Sequence, residues 1–204
     1  MTVLRLNFIK RGNVMKKRSI LLVIPLILLP YLALFTIATV FLSTELDFFR
    51  YIMESIFDSN GLYIILAFIL YCIFTVILTA FCFEFNISKK YEPLSFAKTV
   101  IIIKIIQIPA YLTIFVLGVL LAITIITLPF AIGLFWLDCL SLALSGALLI
   151  SVAINSIKQG IFKLNDVLWI MILQFVFCAD VISSIIFYIK LKKAAEAKQQ
   201  SAQN

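Results

Sequence analysis

Two carboxylates, Asp138 and Asp180, stand inside long apolar stretches of the sequence. An ionised side chain at the centre of a membrane helix costs about 2.5–3.5 kcal/mol on insertion scales, so such residues usually face the interior of a helical bundle and mark a functional site. Both carboxylates fall at similar depths in the predicted helices. Serines accompany each of them on or beside the same helical face: Ser141, Ser145, Ser183 and Ser184. We therefore expect two Asp–Ser stripes to meet across one helix interface.

Such a pair of carboxylates allows two interpretations. Two carboxylates at short range cannot both stay ionised cheaply, and this arrangement suits a proton or cation site. The same geometry also allows a hydrogen bond between a protonated Asp and a serine of the neighbouring helix, which holds membrane helices together with about 0.6–2 kcal/mol. The sequence leaves both interpretations open.

A third polar stripe runs along the stretch around residue 107. Lys104, Gln107 and Tyr111 fall near one helical face. We expect Lys104 to extend its ammonium group to the headgroups, because it lies near the inner end of the predicted helix. Tyr111 lies deeper, at the level of Asp180, where its hydroxyl would complete an Asp-Asp-Tyr cluster or bond a backbone carbonyl. Gln174 has the right depth to face Gln107.

Other kinds of chemistry find little support. The chain has no His, which removes the commonest general base and metal ligand. The four Cys fall within or at the edge of apolar stretches without a Cys-x-x-Cys spacing. They are expected to behave as small buried hydrophobes. No nucleophile and base form a recognisable pair. We therefore expect no enzyme activity, no metal site and no cofactor.

The composition indicates a protein that crosses a membrane several times. Of 204 residues, 64% are hydrophobic and only 13% are charged. A bilayer core of about 30 Å needs about 20 apolar residues per helix, and backbone groups in lipid must be satisfied within the segment. Long apolar runs therefore predict an all-α, polytopic transmembrane helical bundle.

Five spans fit these runs, at about 19–43, 62–83, 99–123, 131–154 and 167–189. The apolar stretch from Thr99 to Ile154 is too long for one crossing at about 1.5 Å per residue and fits two. Its turn is expected in the segment TIITLPFAIG, where Pro129 ends one helix and Gly133 loosens the next. A bundle of four spans is the alternative, in which one of the middle pair only dips into the membrane.

The basic residues set the predicted orientation. An arm at residues 1–18 and the second and fourth loops carry most of them: Arg5, Lys10, Arg11, Lys16, Lys17, Arg18, Lys89, Lys90, Lys98, Lys158 and Lys163. We therefore expect the amino terminus in the cytoplasm. A polar tail at 190–204 carries four further lysines and would then lie outside, against the rule. This conflict is the strongest sign that the number of spans is wrong by one.

The net charge of +7 is therefore read as a topology signal. No segment is long enough for a folded nucleic-acid-binding surface, so no nucleic-acid partner is expected.

The stretch MKKRSILLVIPLILLPYLALF has the basic start and apolar core of a bacterial amino terminus. Met15 is therefore an alternative start. Because no small-residue cleavage site follows, this segment is interpreted as a retained anchor.

The predicted outer loop TELDFFRYIMESIFDSN, residues 44–60, has apolar residues at near-helical spacing. This pattern favours an amphipathic helix lying on the membrane, with docking of a partner protein as the alternative. Asn60 and Gly61 are expected to end it.

The carboxyl-terminal half resembles a family of small, functionally uncharacterised bacterial integral membrane proteins, chiefly from Gram-positive species. The marks of the resemblance are IQIPAY, TLPF, LDCL and FCADV. It implies an all-helical domain in the cytoplasmic membrane and no established activity, so it supplies no site residues.

Two functions are compatible with these observations. The first is a small ion-coupled transport protein, or a membrane subunit of a transporter, with Asp138, Asp180 and Tyr111 as its polar centre. The second is a non-transporting accessory or immunity-type protein that binds another membrane protein or a second copy of itself. Both functions place the chain in a bacterial plasma membrane with the lipid bilayer as its first partner.

Overall fold

The computed structural model describes residues 2–88, 92–123, 125 and 127–201. Side chains are described over 22–88, 92–123, 125 and 127–197. Lys89 and Lys90 of the predicted second loop lie outside the described residues, as do the side chains of the basic arm and of Lys198. Within the described ranges the fold is all-α, as predicted, with no strand. Its helices are α1 (Thr2–Leu42), α2 (Asp47–Phe57), α3 (Gly61–Ser88), α4 (Pro93–Ala122), α5 (Leu128–Lys158), α6 (Leu164–Leu173) and α7 (Ala179–Ser201).

In the described part of the chain, four helices are long and apolar enough to cross a membrane. They are Leu22–Leu42 of α1, then α3, α4 and α5. These helices overlap the first four predicted spans, and the chain is a multi-pass membrane protein with a helical bundle.

The turn between α4 and α5 falls in the predicted segment, but its proline has a different role. Pro129 does not end α4; it is the second residue of α5. Proline is favoured in the first turn of a helix, because its missing N–H would find no partner there. Gly133 lies inside α5.

The predicted amphipathic segment forms α2, but it ends earlier than expected. Asp58 and Ser59 adopt left-handed backbone conformations with φ of 50° and 56°. The N–H of Ser59 donates to the carbonyl of Met53 at 2.8 Å. Asn60 instead opens α3, because its side-chain oxygen accepts the N–H of Leu62 at 3.0 Å. An amide at this position satisfies one of the free donors of a helix start.

The chain divides into two compact units. The first comprises Met1–Pro25, Leu78–Ile105 and Leu142–Asn204, and the second comprises Leu26–Ile77 and Ile106–Ser141. Phe187, Leu148 and Val152 are fully buried in the first unit. In the second unit, the buried residues include Leu29, Ala33 and Ile114, each with at most 2% of its surface exposed.

The end of α5 is fixed by a glycine. Gly160 has φ of 68°, and the N–H of Ile161 donates to the carbonyl of Ser156 at 3.0 Å. This is a Schellman motif, in which a residue without Cβ adopts the left-handed conformation that terminates a helix. The chain then turns into α6, whose start is capped by the carboxylate of Asp166, an acceptor for the N–H of Lys163 at 3.1 Å.

Helices α6 and α7 form a hairpin, so the predicted fifth span at 167–189 is not one continuous helix. The helix stops at Leu173 and restarts at Ala179. The rings of Phe162, before α6, and Phe187, in α7, have centroids only 5.9 Å apart. A straight helix would separate these residues by about 37 Å. The chain therefore reverses direction between α6 and α7, and residues 174–178 form the tip of the hairpin.

Candidate functional site

A buried ion pair joins the hairpin to α4. The ammonium group of Lys104 donates to Oδ2 of Asp180 at 2.7 Å. The side chain of Lys104 is fully buried and that of Asp180 is 3% exposed. Charged groups this deeply buried are kept only when they are paired and hydrogen-bonded, because desolvation costs several kcal/mol per ion. Among the described side chains, this is the one ion pair that is buried.

The burial of Lys104 shows that the expected contact with headgroups was wrong. The prediction placed the start of this helix at Thr99, whereas α4 begins at Pro93. Lys104 is therefore about 17 Å along the helix from its first residue, too deep for its ammonium to reach that end easily. The ammonium is satisfied by Asp180 instead.

The position of Asp180 also differs from the prediction. It lies in the first turn of α7, and not in the interior of a long helix. The free N–H groups and the dipole of a helix start favour a negative charge there. The carboxylate of Asp180 thus gains stabilisation from its own helix as well as from Lys104.

Gln174 holds the two arms of the hairpin together. Its side-chain nitrogen donates to the hydroxyl of Ser183 at 2.7 Å and to the carbonyl of Ile170 at 3.2 Å. Its side-chain oxygen accepts the hydroxyl of Ser184 at 3.2 Å. Gln174 and both serines each have at most 1% of their surface exposed. These three polar side chains therefore replace water by protein partners, as buried polar groups require.

Ser183 and Ser184 were predicted to accompany Asp180, and they do so through its backbone. Both hydroxyls donate to the carbonyl of Asp180, at 3.1 Å and 2.5 Å. They stabilise the first turn of α7 and connect it to Gln174, while the carboxylate of Asp180 remains directed to Lys104.

Helix α5 contacts the tip of the hairpin at a glycine. A Cβ added to Gly146 would lie 3.1 Å from the Cβ of Gln174 and 3.3 Å from its carbonyl oxygen. Only a residue without a side chain allows this close approach. Gly146 thus determines how closely the tip packs against α5.

The tip contains a strained backbone position. Cys178, the residue that directly precedes α7, has a backbone φ of 66°. Non-glycine residues rarely adopt this conformation, and holding one there costs of order 1–3 kcal/mol. The turn from α6 to α7 is therefore maintained by the contacts of Gln174 and Asp180 against the preference of its own backbone.

A second polar group of the first unit connects α3 to α5. The side-chain nitrogen of Asn86 donates to the hydroxyl of Ser151 at 2.7 Å, and Asn155 donates to the oxygen of Asn86 at 3.5 Å. Gln159 donates to Asn155 at 3.2 Å. All of these groups are neutral, and such hydrogen bonds stabilise helix pairs in membranes without requiring a ligand.

In the second unit, a cluster forms around Tyr111. Its hydroxyl lies 3.0 Å from the oxygen of Gln107 and 3.0 Å from the hydroxyl of Ser141. The nitrogen of Gln107 donates to the carbonyl of Leu26 at 2.7 Å and to Ser141 at 3.4 Å. Tyr111 therefore bonds polar groups of α4 and α5. The amides of Gln107 and Gln174 each bond groups of their own unit, and their predicted facing stays a prediction.

Asp138 lies half-buried on α5. Its Oδ1 is buried and has no hydrogen-bond partner among the described side chains and backbone. Ser145, predicted on the same face, donates to the carbonyl of Leu142 within its own helix at 3.1 Å. The predicted pair of Asp138 and Asp180 stays a prediction; Lys104 already accounts for the burial of Asp180.

Among the residues that the structure describes, no group of three or more His, Cys, Asp or Glu side chains is placed to hold a metal ion. Comparison of the chain with protein-family models, with curated proteins and with solved structures found no match.

Proposed function

We propose that this membrane protein is a small ion-coupled transport protein, or the membrane subunit of one, in which Lys104 and Asp180 form the coupling site. The observation that supports this proposal is the buried ion pair at the tip of a broken helix. Ionisable residues inside membrane domains usually mark ion or substrate pathways. Helices interrupted inside the membrane commonly supply the ion sites of transporters.

The pair would act as an exchangeable contact. A proton or cation that neutralises Asp180 would remove the attraction that holds the hairpin tip to α4, and Lys104 would then have to find another partner or lose its charge. Because Cys178 is held in a strained conformation, rearrangement of the tip would recover about 1–3 kcal/mol of backbone strain and so offset part of the cost of separating the pair. Binding at the carboxylate and movement of the tip would thus be coupled.

The hairpin also supports a consistent orientation for the chain. If α6 and α7 enter and leave the membrane on the same side, the tail lies with the amino-terminal arm. Every Lys and Arg then falls on one side, apart from Arg50 and the buried Lys104. This distribution fits a cytoplasmic location for both termini in a bacterial plasma membrane.

Proteoliposomes test the transport proposal. The purified protein is reconstituted with an internal pH-sensitive dye, and proton entry is followed under an imposed potassium diffusion potential. We expect uptake above protein-free vesicles, and we expect Asp180→Asn and Lys104→Gln to abolish it. Glu196→Gln, an exposed carboxylate of α7, is the matched control and should leave uptake unchanged. Wild-type protein that takes up no protons above protein-free vesicles, or an Asp180→Asn variant that retains the uptake, would contradict the proposal.

Labelling tests the orientation. In a cysteine-free background, a cysteine at Ala195 should be protected from an impermeant thiol reagent in intact cells, whereas one at Ser59 should react. Reaction at Ala195 from outside would place the tail on the other face and would remove the re-entrant hairpin.

The second candidate function is an accessory protein that binds a partner through α2. Phe48, Tyr51 and Ile56 are exposed by 63%, 70% and 68% although α2 lies outside the four long apolar helices. Large apolar side chains exposed in this way insert into a membrane surface or contact another protein. A photo-crosslinking amino acid at Tyr51 separates the two: adducts with lipid support the membrane surface, and one discrete protein adduct supports the accessory function.

A further inference from the structure

The hairpin gathers lysines at one end of the first unit. Lys158 ends α5, and Lys163 directly precedes α6. Because Phe162 contacts Phe187, the part of α7 that follows Phe187 begins at this same end. This part carries three further lysines, at positions 190, 192 and 193. Residues that are far apart in the sequence thus form one surface, which we call the basic surface and define by these five lysines.

The basic surface has an excess of positive charge. All five lysines are exposed. Two carboxylates lie among them on α6 and α7, and both are engaged: Asp166 caps α6, and Glu196 lies 3.9 Å from the ammonium of Lys192. Among the described side chains, only one of these five lysines, Lys192, has its ammonium within ion-pairing distance of a carboxylate, which leaves a field that attracts anions.

Exposed apolar side chains border the basic surface directly. Leu164 follows Lys163 and is 53% exposed, and Ile189 precedes Lys190 and is 48% exposed. A soluble polyanion would gain nothing from such neighbours. A phospholipid would bring a negative headgroup to the lysines and an acyl chain to the apolar residues, as at basic segments beside membrane helices.

We infer that the basic surface binds anionic phospholipid headgroups and enriches these lipids around the hairpin. The inference depends on the reversal of the chain between α6 and α7, because a straight helix would carry the tail lysines far from Lys158. It does not depend on transport, so the failure of one proposal leaves the other standing.

The two tryptophans provide a local measurement with an internal control. Trp169 lies on α6, about 9 Å along the chain axis from Lys163, and is 71% exposed. Trp136 is 67% exposed on α5, about 33 Å along that helix from Lys158. Trp136→Phe and Trp169→Phe each leave one reporter, and brominated phosphatidylglycerol or brominated phosphatidylcholine quenches the reporter that it contacts. The ratio of the two quenching constants measures the local preference for the anionic lipid.

For Trp169 we expect quenching to be about threefold or more stronger with phosphatidylglycerol than with phosphatidylcholine, because each lysine near a membrane surface attracts anionic headgroups. For Trp136 we expect a ratio near one. The triple substitution Lys190→Gln, Lys192→Gln and Lys193→Gln should bring the Trp169 ratio near one, whereas Arg50→Gln should not. High salt should weaken the preference in the wild-type protein, which keeps the test valid if the triple variant fails to fold.

Equal ratios at both tryptophans, or a Trp169 preference that survives high salt, would overturn the inference. Inorganic phosphate at constant ionic strength should leave the ratio unchanged. If it removes the preference, the lysines bind a free anion and the lipid assignment is wrong.

Discussion

Removal of either charge of the buried pair should destabilise the protein far more than removal of both. At a separation of 2.7 Å the two groups attract each other by about 6 kcal/mol in an effective dielectric of about 20. Desolvation of the two ions offsets most of this attraction. The net contribution of the intact pair is therefore small, whereas a single remaining charge keeps its desolvation cost without a partner.

We expect Asp180→Asn and Lys104→Met each to lower the free energy of unfolding by about 3–5 kcal/mol, the range for broken buried pairs. The double variant should lose less than either single variant, because two neutral side chains need no charged partner. Each value would be measured by reversible unfolding in mixed micelles containing increasing SDS, followed by far-UV circular dichroism. The exposed pair of Lys192 and Glu196, 3.9 Å apart, is the control, and its variants should change stability by less than about 1 kcal/mol.

The reasoning would be refuted if both single variants lost less than about 1 kcal/mol, because the two charges would then be solvated. It would also be refuted if the losses of the single variants added up in the double variant, since independent residues do not interact.

Further substitutions test the hairpin tip and the second unit by thermal unfolding of the detergent-solubilised protein. Gly146→Leu should lower the melting temperature strongly, because the new side chain would collide with Gln174. Gly133→Leu should be tolerated, because a Cβ at that position meets nothing within 4 Å. Equal effects of the two substitutions would show that Gly146 has no special contact. Cys178→Gly should be neutral or stabilising by up to about 1 kcal/mol, because glycine adopts φ of 66° without strain, and clear destabilisation would contradict the observed backbone. Tyr111→Phe should cost about 0.6–1.7 kcal/mol, the usual value of a hydrogen bond between membrane helices, and no loss would mean that its hydroxyl is dispensable.

The sequence was sufficient to predict the helical class because apolar runs of membrane length are a direct consequence of bilayer thickness. It did not reveal the hairpin, since the run 167–189 also has the length of a single span. Two features of the sequence indicated it. Gln174 places a polar amide in the middle of that run, and the tail carries basic residues that a straight helix would place outside the cell.

The partner of Asp180 was missed for a related reason. Side-chain depth depends on where a helix begins, and residues 93–98 at the start of α4 were not counted as part of the helix. These six residues move Lys104 about 9 Å deeper. Contacts between helices distant in sequence cannot be obtained from helical periodicity, which only determines the residues that share a face.

The reversal of the chain between α6 and α7 is the central claim, because it places Asp180 opposite Lys104 and the tail beside Lys158. Spin labels at Lys163→Cys and Lys190→Cys, in a background without the native cysteines, measure it directly by double electron–electron resonance. The hairpin predicts a distance below about 20 Å, since both labels lie within three residues of the contact between Phe162 and Phe187. A distance near 40 Å, the length of one continuous helix between these positions, would contradict the fold and the site built on it.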